Sequence, residues 1–196
     1  GLFTYTGTNT IKLNGADGNS GIGYLDIYGT FNTPVAFEQT SLPSTGYGEV
    51  ILYTGGTLKL TATVDDLLIN GVRLYGNGGT IDTAGFDTRV NGDIVGPAGF
   101  NKAGAGTLKI ESVNNTNVGT VRILGGTLTL TNTAVLPGTN IVIAGAARFD
   151  VAELASPFIL SGQTLGKSSA AALINGSLDA SRAAVVLTSA ALTPAL

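Results

Sequence analysis

The sequence predicts an all-β chain wound as a single parallel β-solenoid, and three observations predict it. Apolar and polar residues alternate over short runs, Gly-rich breaks separate the runs, and the breaks recur at a spacing in the low twenties. The runs include Thr57-Leu58-Lys59-Leu60, Thr107-Leu108-Lys109-Ile110, Thr120-Val121-Arg122-Ile123 and Thr127-Leu128-Thr129-Leu130. A period of two with β-branched residues marks strands that bury one face. Leu58, Leu60, Ile81, Leu108, Ile110, Leu128 and Leu130 are therefore expected to point into the core. The breaks are Gly pairs and Asn-Gly steps, which reach positive φ at little steric cost.

The breaks repeat as Gly55-Gly56-Thr57-Leu58, Gly78-Gly79-Thr80-Ile81, Gly104-Ala105-Gly106-Thr107-Leu108 and Gly125-Gly126-Thr127-Leu128. The interval drifts: it is widest from Thr80 to Thr107 and narrowest from Thr107 to Thr127. Asn70-Gly71 recurs as Asn91-Gly92 after an interval of the same order. Self-similarity at this period is a solenoid signature, with one coil per repeat and two or three short strands per coil. The whole chain, 1–196, reads as one domain of roughly eight or nine coils, a rod about 40 Å long at the spacing of paired strands. The alternative architecture is an antiparallel β-sandwich, because it too has short strands and frequent turns, and Asn-Gly favours hairpins. A drifting period favours the solenoid, where extra residues bulge at one corner.

In chain order, Gly1-Leu2-Phe3-Thr4-Tyr5-Thr6 reads as an uncharged strand. Residues 30–48, with Phe31, Pro34, Phe37, Pro43, Gly46 and Gly48, show little alternation and read as an irregular, loop-rich stretch. Residues 86–130 hold the clearest repeat. Residues 167–173 and 180–192 are Ala-rich and suit a helix on propensity. The turn at Asn175-Gly176 and the β-branched run Val185-Val186 assign strand there instead.

Composition narrows the function classes. Charged residues are 12 % of the chain, about half the usual share, and Gly is 29 of 196, roughly twice its usual share. The net charge is −3, and the ten Lys and Arg are scattered singly from Lys12 to Arg182. That pattern argues against a nucleic-acid partner, which calls for a basic stripe, and against an anionic membrane surface. No apolar run reaches the length of a membrane-spanning helix. Cys, His, Met and Trp are all missing. Disulfides, thiolate chemistry and the commonest general base and metal ligand are thereby excluded, and few oxidisable side chains remain. The chain starts at Gly1 with no charged or apolar leader after it, which reads as a processed chain or an excised fragment.

The stretch Val90-Asn91-Gly92-Asp93-Ile94-Val95-Gly96-Pro97-Ala98-Gly99-Phe100-Asn101-Lys102-Ala103-Gly104-Ala105-Gly106-Thr107-Leu108-Lys109-Ile110 resembles the autotransporter-associated β-strand repeat. That repeat carries a Lys-x-Gly-x-Gly-Thr-Leu element, here Lys102 to Leu108. It continues through an Asn/Thr-rich turn, here Val113 to Thr120, a short strand, and Gly125-Gly126-Thr127-Leu128-Thr129-Leu130. Ser156 to Leu165 resembles the Leu-x-x-Gly-Gln-Thr-Leu stretch that often follows. The match is clear over about 86–130, extends more loosely over 131–192, and is faint before 50. The resemblance implies a right-handed parallel β-helix in an exported bacterial protein, an adhesive or structural stalk secreted or held at the cell surface, without catalytic residues.

Paired carboxylates are the first candidates for chemistry. β-Helical enzymes cut polysaccharides with carboxylates on neighbouring coils, and Asp65, Asp66, Asp82, Asp87 and Asp93 are available here. The interval from Asp66 to Asp87 equals that between the two Asn-Gly steps. The pair is therefore expected to stack if the coil has that length, at a separation suited to glycoside hydrolysis. The plainer reading places each at a corner, capping turn amides. Asn14 to Gly21 and Gly76 to Asp82 offer oxygen ligands in Gly-rich loops, but neither has the spacing of a calcium loop, so turns are expected. Tyr5, Tyr24, Tyr28, Tyr47, Tyr53 and Tyr75 all lie in the first part of the chain and could form a glycan-binding face. The expectation is therefore a non-enzymatic extracellular structural or adhesive module. It has no catalytic, metal or cofactor-binding residues and no cofactor. Its partners are other copies of itself, joined end to end, or surface glycans. The alternative is a carbohydrate-binding or carbohydrate-cleaving β-helix.

Overall fold

The computed structural model describes residues 1–14, 23–40 and 48–187. Among them every strand pair is parallel, which excludes the antiparallel sandwich. The chain passes three faces in turn and stacks each strand on its equivalent one coil later. The first face is a nine-stranded sheet. It stacks β1 (Leu2–Thr4), β4 (Thr30–Thr33), β7 (Thr57–Leu60), β9 (Thr80–Asp82), β12 (Asn101–Ala103), β14 (Val121–Ile123), β16 (Asn140–Ile143), β18 (Phe158–Lys167) and β20 (Leu178–Leu187). The second face begins with β2 (Ile11–Asn14) and β5 (Phe37–Thr40). Isolated bridges from Phe37 to Leu68 and from Asp66 to Arg89 carry it on. It ends in a five-stranded sheet of β10 (Thr88–Val90), β13 (Thr107–Ile110), β15 (Thr127–Asn132), β17 (Arg148–Leu154) and β19 (Leu173–Asn175). The third face holds β3 (Gly23–Ile27), β6 (Gly48–Leu52), β8 (Gly71–Leu74) and β11 (Asp93–Val95). Nine strands stack on the first face, separated by eight coil-to-coil steps.

Register partners on the first face step widely at first, from Leu2 to Thr30 to Thr57. They then step more closely, through Thr80, Asn101, Arg122, Val142 and Gly166 to Val186. The Gly-Thr series does not follow one face. Thr57 stacks on Thr80 in the first face, whereas Thr107 stacks on Thr127 in the second. The wide interval between Thr80 and Thr107 is therefore one coil plus one corner. The same turn chemistry serves both corners, which is why the motif recurs on both.

Leu58, Leu60, Ile81, Leu108, Ile110, Leu128 and Leu130 are all buried in the core, as their alternation predicts. Residues 167–173 and 180–187 contain no helix. The loop-rich reading of 30–48 is corrected: β4 and β5 occupy much of it, and β6 begins at Gly48. Pro34 interrupts the alternation only at the corner, where the buried Thr33 hydroxyl donates to the Val35 carbonyl at 2.9 Å. Residues 41–47 lie outside the described residues.

The four-stranded sheet of the third face ends at β11, and beyond it buried amide side chains bridge neighbouring coils. Asn115 Oδ1 accepts the Ile94 backbone N–H at 2.7 Å, while its Nδ2 donates to the Ser112 and Val135 carbonyls. Gln163 Nε2 donates to the carbonyls of Leu136 and Gly138. These side chains satisfy backbone groups that a strand ladder would otherwise pair.

Candidate functional site

The carboxylates do not converge. Asp66 bridges Arg89, not Asp87, because the coil here is two positions longer than the Asn-Gly interval. Asp66 Oδ1 accepts the Asn91 backbone N–H at 3.4 Å, and its Oδ2 lies 3.9 Å from Arg89 Nε. Burial is the main influence on its carboxyl and pushes the pKa up. Asp87 Oδ1 accepts the Thr107 N–H one coil on, at 2.6 Å. Asp82 caps the Ala84 N–H at 2.8 Å, with the Lys59 ammonium 3.6 Å away. The Ser112 hydroxyl donates to Asp93. These four carboxylates thus brace corners or tie neighbouring coils. Asp65 is exposed and pairs with Arg89 at 3.1 Å.

Asp65 and Asp87 do share a shallow polar groove of 430 Å³ with Arg89, Lys109 and Glu111. Its charges pair across coils, Arg89 to Asp65 and Lys109 to Glu153, each at 3.1 Å. Of the loop Gly76 to Asp82, residues 76–79 make the corner between β8 and β9, with Gly76 and Gly78 at positive φ, and Thr80–Asp82 is β9 itself. Of the other candidate loop, residues 15–21 lie outside the described residues. Among the described residues no group of three or more acidic side chains is placed to hold a metal ion, and no helix is long and apolar enough to cross a membrane.

The tyrosines are organised by the coil. Ile27 pairs with Leu52 and Leu52 with Leu74, so Tyr28, Tyr53 and Tyr75 follow at equivalent positions. Their rings form a ladder, with centroids 4.2 Å apart at 14° for Tyr28 and Tyr53, and 5.6 Å apart at 19° for Tyr53 and Tyr75. The rings face one another rather than outward, so the ladder offers solvent its edges more than its faces. Tyr5 sends its hydroxyl to the Asn9 carbonyl, Tyr24 is exposed beside β6, and Tyr47 lies outside the described residues. The steps from Tyr28 to Tyr53 and from Tyr53 to Tyr75 match the local coil length. That signal is present in the sequence but legible only once the coil is known.

Lys102 is the residue that composition and motif alone undersell. It sits at an inward position of β12, in register between Ile81 and Ile123, and is fully buried. Its ammonium donates to Thr83 Oγ1 at 3.0 Å and to the carbonyls of Ala103, Gly104 and Gly125 at 2.8, 2.9 and 3.0 Å. Three coils meet on this one cation. An ammonium has three protons, so the four acceptors share them. Burial pushes its pKa down to about 8, with Asp82 and Asp87 pulling the other way.

The depressed pKa predicts a pH dependence. Between about pH 8 and the ordinary lysine value of 10.5, the unfolded chain holds this proton and the folded chain does not. Stability therefore rises with pH across that window. The expected gain is on the order of 2 kcal/mol, read as a higher urea midpoint at pH 9.5 than at 7.5. Lys102→Met, which has no such proton, should lose the rise. A wild-type midpoint that is flat or falls over this range would contradict the assignment.

No protein-family model, curated protein or solved structure matches the chain.

Proposed function

We propose that the chain is a non-enzymatic structural or adhesive module outside the cell, a rod that lengthens by pairing end to end. The observation that carries this reading is that, among the described residues, each terminal strand of the nine-stranded face pairs on one side only. Among the described residues β1 pairs only with β4, and β20 only with β18. Leu2 and Phe3 are 72 % and 57 % exposed, and β1 carries no charge. The Gly1 carbonyl and the Tyr5 N–H bond to the β4 side, so by alternation the N–H and C=O groups of Leu2 and Thr4 point outward. Unpaired edges of this kind template pairing with another chain, and a head-to-tail contact that does not close propagates as a filament. The candidate carboxylates support the non-enzymatic part, because four of the five are engaged in bracing corners or coils. The extracellular, bacterial location is supported by the missing oxidisable residues and by the resemblance to the autotransporter-associated repeat, whose Lys and Gly positions have structural roles here.

Light scattering and negative-stain electron microscopy at micromolar concentration test the rod. Filaments are expected, and Thr4→Pro, which removes an outward N–H and leaves the β4 bonds of Gly1 and Tyr5 intact, should shorten or abolish them. A wild-type chain that stays monomeric overturns the reading. The groove of Asp65, Asp87, Arg89, Lys109 and Glu111 favours a second reading, glycan binding. It predicts saturable binding on glycan arrays that is lost in Arg89→Ala.

A further inference from the structure

We propose that Tyr28 and Tyr53 form an oxidative cross-linking site, at which a one-electron oxidant of the peroxidase type joins two coils through a dityrosine bond. Three observations converge on this pair. The rings are stacked 4.2 Å apart and nearly parallel, so their ring carbons already face one another at contact distance. Tyr28 is 63 % exposed, open to a diffusing oxidant or to the edge of an oxidising enzyme. The rungs beneath hold the pair in place, with Tyr53 N–H donating to the Ile27 carbonyl at 3.1 Å and Tyr75 N–H to that of Leu52 at 3.0 Å.

The rest of the chain directs oxidation to tyrosine. Cys, Met, Trp and His are absent, and these are the side chains that otherwise compete for oxidising equivalents. A radical formed on any exposed tyrosine has only other tyrosines to pass to, and here a second ring waits at van der Waals distance. The neighbouring Tyr28 hydroxyl is the main reason the Tyr53 hydroxyl is pushed up to about 12.

The chemistry balances with hydrogen peroxide as the terminal oxidant, activated by a haem peroxidase. Each phenol gives up one electron and one proton, leaving two phenoxyl radicals. The radicals join through a bond between the carbons ortho to the hydroxyls. The hydrogen on each joined carbon then moves to its oxygen and aromaticity returns. Two electrons and two protons leave the protein, and one peroxide becomes two waters. The product closes the stretch of chain from Tyr28 to Tyr53, tying two successive coils in a protein that has no cysteine to do so.

The test treats the purified chain with a haem peroxidase and hydrogen peroxide. The expected product is a monomer lighter by two hydrogens with the blue fluorescence of dityrosine. Digestion at acidic residues cuts between the two tyrosines at Glu38 and Glu49, and the fragments bearing Tyr28 and Tyr53 should remain joined. Tyr28→Phe and Tyr53→Phe should each lose this product, while Tyr5→Phe and Tyr75→Phe keep it. Because neither ring lies in the buried core, circular dichroism should show the Phe variants folded. Three results would overturn the proposal: no dityrosine, dityrosine only between chains, or an undiminished intramolecular yield in Tyr28→Phe.

Discussion

Replacing Lys102 with alanine should destabilise the chain by about 4 kcal/mol, one of the largest effects expected of any single side chain. Two losses combine. The ammonium donates to four oxygens drawn from three coils, and hydrogen bonds to a charged group contribute about 1.5–3 kcal/mol each at most. The aliphatic stem fills a core position between Ile81 and Ile123, and truncating a buried chain of this size costs about 2–5 kcal/mol. Relief of the buried charge offsets part of the sum. Lys102→Met separates the two losses. It keeps the stem and removes the cation, and about half of the alanine effect should remain. Urea midpoints of the three proteins measure this. An alanine variant within about 1 kcal/mol of wild type would mean that the cage contributes little.

Gly106→Ala should be nearly as damaging, for a steric reason. A Cβ at position 106 would overlap the Phe86 carbonyl oxygen, carbon and nitrogen, all backbone atoms of the preceding coil and all nearer than the 3.0 Å that real Cβ atoms respect. No rotamer relieves a clash with backbone. The coils would have to separate locally, and the Thr127 N–H bond to the Gly106 carbonyl lies in the path of that movement. A loss of about 3 kcal/mol or more is expected. It should appear as a lower thermal midpoint and as faster amide exchange in β13 and β15. Gly85→Ala is the matched control, since a Cβ there meets nothing within 4 Å. Equal effects at the two positions would refute the steric account.

These two residues show why the Lys-x-Gly-x-Gly-Thr-Leu element has its spacing. Lys102 turns inward at a corner whose carbonyls need a donor, and Gly106 lets the next corner lie flat on the one before. The element was visible in the sequence as a pattern, but nothing in the pattern says that the lysine is buried. A lysine in an alternating strand ordinarily marks the wet face. Only the stacking of three coils brings enough carbonyls together to hold the cation.

The carboxylates illustrate the opposite case. Asp66 and Asp87 stack only if the coil between them matches the interval of the two Asn-Gly steps. The coil is two positions longer there, and Asp66 meets Arg89 instead. So small a shift is enough to separate a candidate pair. Coil length is not constant along the rod: Thr4 stacks below Asn32, a long step, and Thr120 below Asn140, a short one. Register could not be read from any one repeat.

What the sequence determined by itself is local and periodic. Period-two alternation set which side of each strand is buried, and all seven predicted core residues are inside. Gly-rich breaks set where the chain turns, and the recurrence of those breaks set the solenoid. Such features depend on neighbours a few positions away, so a linear reading captures them. What only the tertiary structure decided is which residues lie above and below one another: the cage of Lys102, the ladder of Tyr28, Tyr53 and Tyr75, and the amides that bridge neighbouring coils beyond β11. Those contacts join residues a whole coil apart, Lys102 to Thr83, Tyr28 to Tyr53 and Gln163 to Leu136, and each added residue in a corner shifts every partner downstream. Register along the stack is the sum of all corner lengths, and the sequence states that sum only once the chain has folded.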